Sequence, residues 1–285
     1  MARWTIDQPT TRTLEGIVAL RIRIIGGHVN VLPTDDPVTF EVSDIQGEPV
    51  LVTQEAGILT VTYDDLTRSG LMDRLRPVQL SGYRGMGKRS ATVSLRVPRD
   101  CPVEITTASA SIVAAGLTAR TQLRSASGDV TLDGLGGSID VNTVSGNLEA
   151  RDLNGKLTFN SVSGHLEVAG GRFAHFAGKT ASGRLLADVD LGPAARVRLG
   201  SISGSVALRI PAGTSADVDL RSATGELDSE FGLDRRSMRG RNHLSGKIGG
   251  GVDPANIQTT TVSGAVNLLR RASDAPAAIP RGDDA

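Results

Sequence analysis

One short unit recurs along two thirds of the chain and limits what it can fold into. It reads Ser/Thr, apolar, Ser/Thr, Gly, as in Ser125-Ala126-Ser127-Gly128, Thr143-Val144-Ser145-Gly146, Ser161-Val162-Ser163-Gly164 and Thr180-Ala181-Ser182-Gly183. It continues as Ser201-Ile202-Ser203-Gly204, Ser222-Ala223-Thr224-Gly225, His243-Leu244-Ser245-Gly246 and Thr261-Val262-Ser263-Gly264, after an opening copy, Thr107-Ala108-Ser109-Ala110, that ends in Ala. The nine copies are spaced by 18, 18, 18, 19, 21, 21, 21 and 18 residues. A fixed period of this length marks a stack of coils, none of which buries a core alone.

Two places after the Gly position stands a branched aliphatic residue in every copy, among them Val130, Leu148, Leu166, Leu185 and Val206. Two places before it the residue is apolar, as at Val144, Val162 and Ile202. Alternation with period two predicts a strand with one buried face, both apolar positions inward and the Gly sharing their parity where a Cβ has no room. One period holds two or three short strands with turns such as Asp152-Leu153-Asn154-Gly155. The runs Val93 to Pro98 and Val206 to Pro211 echo each other, which places the start of the stack near Ser90. The fold class expected is therefore all-β: a single-chain parallel β-solenoid, right-handed by analogy with β-helices, with a strand-rich N-terminal cap.

Four segments follow: a strand-rich cap over 1–65, a flexible basic loop over 66–89, solenoid repeats over 90–271 and a disordered Ala/Pro/Asp-rich tail over 272–285. Composition agrees with stacked β structure, since aromatics are only 3% while Gly reaches 34 residues, so small and branched side chains must do the packing. The single Cys101 excludes an intrachain disulfide and a Cys-based zinc cluster.

The repeated Val-Ser-Gly-polar-Leu units, the aliphatic-Pro strand ends and the segment Gly27-His28-Val29-Asn30-Val31 resemble the bacterial putative-adhesin family of unknown function. The resemblance spans most of residues 13–271. It implies a single-chain β-solenoid.

Thirty-one cations, 27 of them Arg, balance 31 anions, so no net charge argues for a nucleic-acid binder. The first ten residues lack a signal-peptide apolar run and no stretch approaches the length of a membrane span, so a cytoplasmic location is expected. The histidines His28, His165, His175 and His243 come with no nucleophile-elbow pattern. Asp129, Asp133, Asp140, Asp152, Asp188, Asp190, Asp217 and Asp219 fall in different registers and read as turn and solvated positions. Gly136-Gly137-Ser138-Ile139-Asp140 departs from the calcium β-roll pattern, the Gly82 to Arg89 run is no phosphate loop, and Arg281-Gly282-Asp283 reads as coincidence. No catalytic residue, cofactor or metal is expected.

What stands out is the hydroxyl array. Ser127, Thr143, Ser145, Ser161, Ser163, Thr180, Ser182, Ser201 and Ser203 would form two outward files, with hydroxyls about 4.8 Å apart along each. They are the candidate binding face; the plainer reading is that they satisfy backbone groups at turns. The function expected is a non-enzymatic binding or scaffold protein making multivalent contact with a protein, envelope component or glycan, with self-association possible through the solenoid ends. The alternatives are a glycan- or ice-binding surface built from the Ser/Thr files, or a polysaccharide-active β-helix enzyme.

Overall fold

The computed structural model describes residues 2–64, 66, 89–238 and 241–272. The expected basic loop, apart from its end residues Leu66 and Arg89, and the expected tail beyond Ala272 lie outside the described residues. Among the described residues 23 β-strands join in one continuous sheet that wraps the core and is nearly closed, barrel-like, in section.

The strands form two files. The first runs β8 (Ser90–Val97), β4 (Gly26–Pro33), β10 (Ser111–Ala115), β12 (Val130–Asp133) and the opening halves of β14 (Leu148–Asn160), β15 (Leu166–Thr180) and β16 (Leu185–Ser201). It ends with β17 (Val206–Pro211), β23 (Val266–Arg271) and β19 (Leu227–Ser229), every pair parallel. The second runs β7 (Ile58–Thr62), β3 (Ala19–Ile24), β9 (Val103–Thr107), β11 (Thr121–Ser125), β13 (Ser138–Thr143) and the closing halves of β14, β15 and β16. It ends with β22 (Ala255–Thr261) and β18 (Ala216–Ser222), again all parallel. Between residues 103 and 211, coils stack in the order in which the chain makes them.

The ends depart from the expected uniform parallel stack in two ways. First, chain order and spatial order part company. The coil β3–β4 sits between the coil β7–β8 and the coil β9–β10. At the other end β22–β23, the last strands in sequence, sit between β16–β17 and β18–β19. Second, antiparallel strands cover the edges. β5 (Val38–Gln46) pairs with β8 and β2 (Thr10–Leu14) with β5, while β6 (Val50–Glu55) pairs with β7 and β1 (Ala2–Ile6) with β6. At the far end β21 (Arg241–Ile248) pairs with β18 and β20 (Asp234–Met238) with β21. β7, β8 and β18 thus present no free parallel edge, and among the described strands the uncovered end strand of the first file, β19, is only three residues long, which makes it a poor template for end-to-end pairing.

The core is a set of columns. Val130, Leu148, Leu166, Leu185, Val206, Val266 and Leu227 stand in register one above another, each at most 4% exposed. Burying each such side chain contributes about 1.5–3 kcal/mol. In the facing column Phe159 pairs in register with Gly178, and the space the glycine leaves is taken by leucine tips, Leu199 Cδ2 and Leu166 Cδ2 lying 3.1 and 3.2 Å from where its Cβ would stand. The rings of Phe173 and Phe176 stack at 5.2 Å.

Candidate functional site

The repeated unit forms a corner where the second file hands the chain to the first. There the glycines Gly128, Gly146, Gly164, Gly183, Gly204, Gly264 and Gly225 stack on one another, in that spatial order. A Cβ on Gly183 would sit 1.9 Å from the carbonyl oxygen of Gly164, and one on Gly204 1.8 Å from that of Gly183. Backbone touches backbone, so only Gly fits. Gly246 does not belong to this stack. The unit His243 to Gly246 lies in antiparallel β21, where the nearest atom to a Cβ on Gly246 is Leu233 Cδ2 at 3.1 Å.

The corner corrects the expected side-chain directions. Val144, Val162, Ile202 and Val262, expected inside, are 53%, 55%, 57% and 49% exposed, while Leu148 and Leu166 are buried as expected. The residue three before the Gly turns inward instead: Ser125, Thr143, Thr180, Ser201, Ser222 and Thr261 are all buried. The reason is local. The inward hydroxyl accepts the Gly N–H three residues on, at 2.8–3.0 Å for Ser125, Ser161, Thr180, Ser201 and Ser222. Thr143 and Thr261 instead donate to the carbonyl of that Gly, at 2.9 and 2.8 Å. A side chain that closes a turn in this way takes the chain out of extended conformation, so period-two parity does not carry through the bend.

Of the nine candidate hydroxyls, Thr143, Thr180 and Ser201 are therefore buried and Ser161 half-buried, whereas Ser127, Ser145, Ser163, Ser182 and Ser203 are exposed. The exposed file also has structural bonds. Ser127 and Ser145 donate at 3.2 Å to the carbonyls of Ala108 and Ala126, one coil back. Ser163, Ser182 and Ser203 reach the carbonyls of Val144, Val162 and Ala181 at 3.4–3.5 Å. One hydroxyl file thus lies inside, and a ridge of half-exposed aliphatic side chains runs beside the other.

Next to the ridge runs a polar ladder. Asp129 Oδ1 accepts the N–H of Asn147 at 2.9 Å, Asn147 Oδ1 that of His165 at 3.0 Å, and His165 Nδ1 that of Arg184 at 2.9 Å. His28 Nδ1 lies 2.6 Å from Ser111 Oγ. Sequence reading gives no hint of this pair, since the partners lie on β4 and β10 and meet only because β4 is intercalated. His243 Nε2 lies 3.0 Å from Asp219 Oδ1, but both oxygens of that carboxylate also accept from Arg221. Asp188 accepts from Arg209 and Arg271, and Arg271 also holds Asp190. These carboxylates serve as ion-pair partners.

Among the described residues no group of three or more His, Cys, Asp or Glu side chains is placed to hold a metal, and no helix is long and apolar enough to cross a membrane. Burial, with Asp100 alongside, pushes the Cys101 thiol up to about 11, so it stays protonated and unreactive in the folded chain.

Three solved structures resemble this one across nearly their whole length. A putative lipid binding protein from Parabacteroides distasonis is 17% identical, with 92% of this chain and 97% of that one covered and a TM-score of 0.47. A putative adhesin from Bacteroides fragilis is 11% identical (92% and 98% covered, TM-score 0.37), and a putative cell adhesion protein from Clostridium sporogenes is 10% identical (93% and 99% covered, TM-score 0.21). At these values they decide nothing about function. No curated protein matches the chain. The model of one family, Toastrack DUF4097, matches residues 47–269, which takes in most of the coils described above, and the chain belongs to that family.

Proposed function

We propose that the chain is a non-enzymatic binding protein: a parallel β-solenoid rod, right-handed in sense, whose glycine corner meets a protein or envelope component through repeated, individually weak contacts. The observation that carries this reading is the ridge. Val144, Val162, Ile202 and Val262 expose about half their surface, one on each coil of a line fixed by the stacked glycines beneath them, with the smaller Ala181 between Val162 and Ile202. Aliphatic side chains held at strand spacing on a rigid support lose little freedom on binding, and several small contacts on one body reinforce each other. The exposed Ser145, Ser163 and Ser182 flank the ridge with hydroxyl oxygens that can still accept a hydrogen bond.

Binding of a neutral glycan or ice through two hydroxyl files fits less well, because one file is turned inward. A polysaccharide-active enzyme fits less well again, because Asp188, Asp190 and Asp219 are engaged by arginines. The test is capture from fractionated native cells, with the full chain set against a Val144→Asp, Val162→Asp, Ile202→Asp variant. The reading expects the partner, and the cell fraction that yields it, to be lost with the variant while the fold persists. An unchanged captured set would remove the ridge from the function.

A further inference from the structure

The chain is neutral overall, yet its charge is not spread evenly. On the outer side of the second strand file, β14, β15, β16 and β22 lie side by side in register. Their outward positions hold Lys156 on β14, His175 and Lys179 on β15, and Arg196 and Arg198 on β16. Within this file, the remaining outward positions of these four strands hold only Thr, Asn, Gln, Ala or Gly. Lys156, His175 and Arg196 are direct cross-strand neighbours, one per coil. With strands about 4.8 Å apart and outward positions about 6.8 Å apart along each, the cations fit within roughly 10 by 14 Å.

Among the described residues no carboxylate forms an ion pair with this cluster, and Lys156, Lys179, Arg196 and Arg198 are all exposed. The nearest acidic side chains of the same file belong elsewhere. Asp140 on β13 lies 3.8 Å from Arg120, Asp217 on β18 lies 3.9 Å from Lys247, and Asp219 is held by Arg221. Like charges placed directly opposite on adjacent strands destabilise a sheet, so the cluster costs the fold something. The field is felt within the cluster: His175 is held below the ordinary histidine value by its partial burial and then by Lys156, Arg198 and Arg196.

We infer that this flat face binds a linear anionic polysaccharide, with Lys156, Lys179, Arg196 and Arg198 meeting its charged groups and the interleaved amides and hydroxyls meeting its sugar oxygens. The face has none of the aromatic side chains on which the bases of a single-stranded nucleic acid would stack. Its amide and hydroxyl content, at Thr158, Asn160, Asn256, Gln258 and Thr260, suits a polyhydroxylated chain. Four charges on one rigid plane act together on a polymer that presents its own charges in series. The inference is independent of the corner ridge, which faces a different partner in the reading above.

The experiment measures binding of the full chain to polygalacturonate and to dextran sulfate, with neutral dextran, an oligothymidylate of matched charge and anionic phospholipid vesicles alongside. The expected result is salt-sensitive binding to one or both acidic glycans, weaker binding to the oligonucleotide and the vesicles, and none to neutral dextran. A Lys156→Gln, Arg196→Gln, Arg198→Gln variant should lose about tenfold or more in affinity, and the ridge variant nothing. Should the triple variant not fold, Lys156→Gln and Arg198→Gln singly should each lose roughly two- to fivefold. Unchanged affinity in the folded variants overturns the inference. So does binding to the oligonucleotide or the vesicles as tight as to the glycans.

Discussion

The middle of the molecule and its two ends are built from the same coils by different rules. Between residues 103 and 211 each coil rests on the one made just before it, so loops are short and contacts local. At both ends a coil from another part of the sequence is inserted: 19–33 beneath 103–115, and 255–271 between 197–211 and 216–229. A sequential stack can fray from its tip, because its last coil has one neighbour and a free chain end. Here the coil carrying the last described strand is the penultimate one in space, held on both faces. The outermost coil, 216–229, joins the chain at both its ends and carries β21 on its outer edge. Regularity supplies length, and intercalation closes the ends.

The largest expected effect separates these rules by deletion. Removing residues 146–163 joins Ser145 to Gly164 and restores a Thr-Val-Ser-Gly corner, while Val130 meets Leu166 in place of Leu148. That chain should fold as a shorter stack with one cooperative thermal transition. Ending the chain after Gly251 removes the coil between β16–β17 and β18–β19 and leaves a gap one strand deep in each file, with Leu220 and Leu227 facing it. That chain should lose its single transition and its C-terminal coils should become sensitive to protease. Circular dichroism melts with limited proteolysis decide between them; if both deletions behave alike, intercalation is not what secures the ends.

Two glycines in the same Ser-Gly setting make a finer version of the contrast. Gly183→Ala, in the middle, drives a methyl to within 1.9 Å of the Gly164 carbonyl oxygen, which the stack holds fixed. It should cost about 3 kcal/mol or more in urea unfolding. Gly246→Ala, at the end, comes within 3.1 Å of the Leu233 side-chain tip and meets backbone only at ordinary contact distance, 3.7 Å or more, so it should change stability by less than about 1 kcal/mol in either direction. Comparable losses at both would mean that the corner glycines are kept for backbone freedom and not for close approach.

How far the sequence discloses this molecule follows from the same contrast. The period and the aliphatic residue after each Gly mark the coils and the columns through Leu148 and Leu166, because extended strands keep period two. The corner hides its directions, since Thr143 and Thr180 turn inward to close the bend and push Val144 and Val162 out. The ends hide their order. The copies continue at near-even spacing through His243 to Gly246, which mimics a corner on an antiparallel strand. The coil 19–33 lacks the motif because its corner is Ile25-Gly26-Gly27, with Gly27 at φ +102° and its absent Cβ 2.2 Å from the Ala91 carbonyl oxygen. The basic face is invisible for another reason: Lys156, His175 and Arg196 are isolated along the chain and become neighbours only through register.

The smallest effect concerns charge on the middle coils. His175 faces Lys156 on β14 and Arg196 and Arg198 on β16, and Lys179 follows on its own strand. Partial burial and these cations hold its folded-state pKa below the ordinary value, so the folded chain binds this proton less readily than the unfolded chain does. Unfolding then takes up a proton, and stability rises with pH. The contribution is complete above the unfolded histidine pKa, near 6.5, and fades as pH falls through the folded value. Between about pH 7 and 5 the native chain should therefore lose slightly more stability than a His175→Gln variant. Lys156→Gln should shrink that difference and add salt insensitivity to it, since a neighbouring charge is screened while burial is not. A difference of the opposite sign would mean that this face is neutralised in solution, and the middle coils would then carry no free charge to offer a ligand.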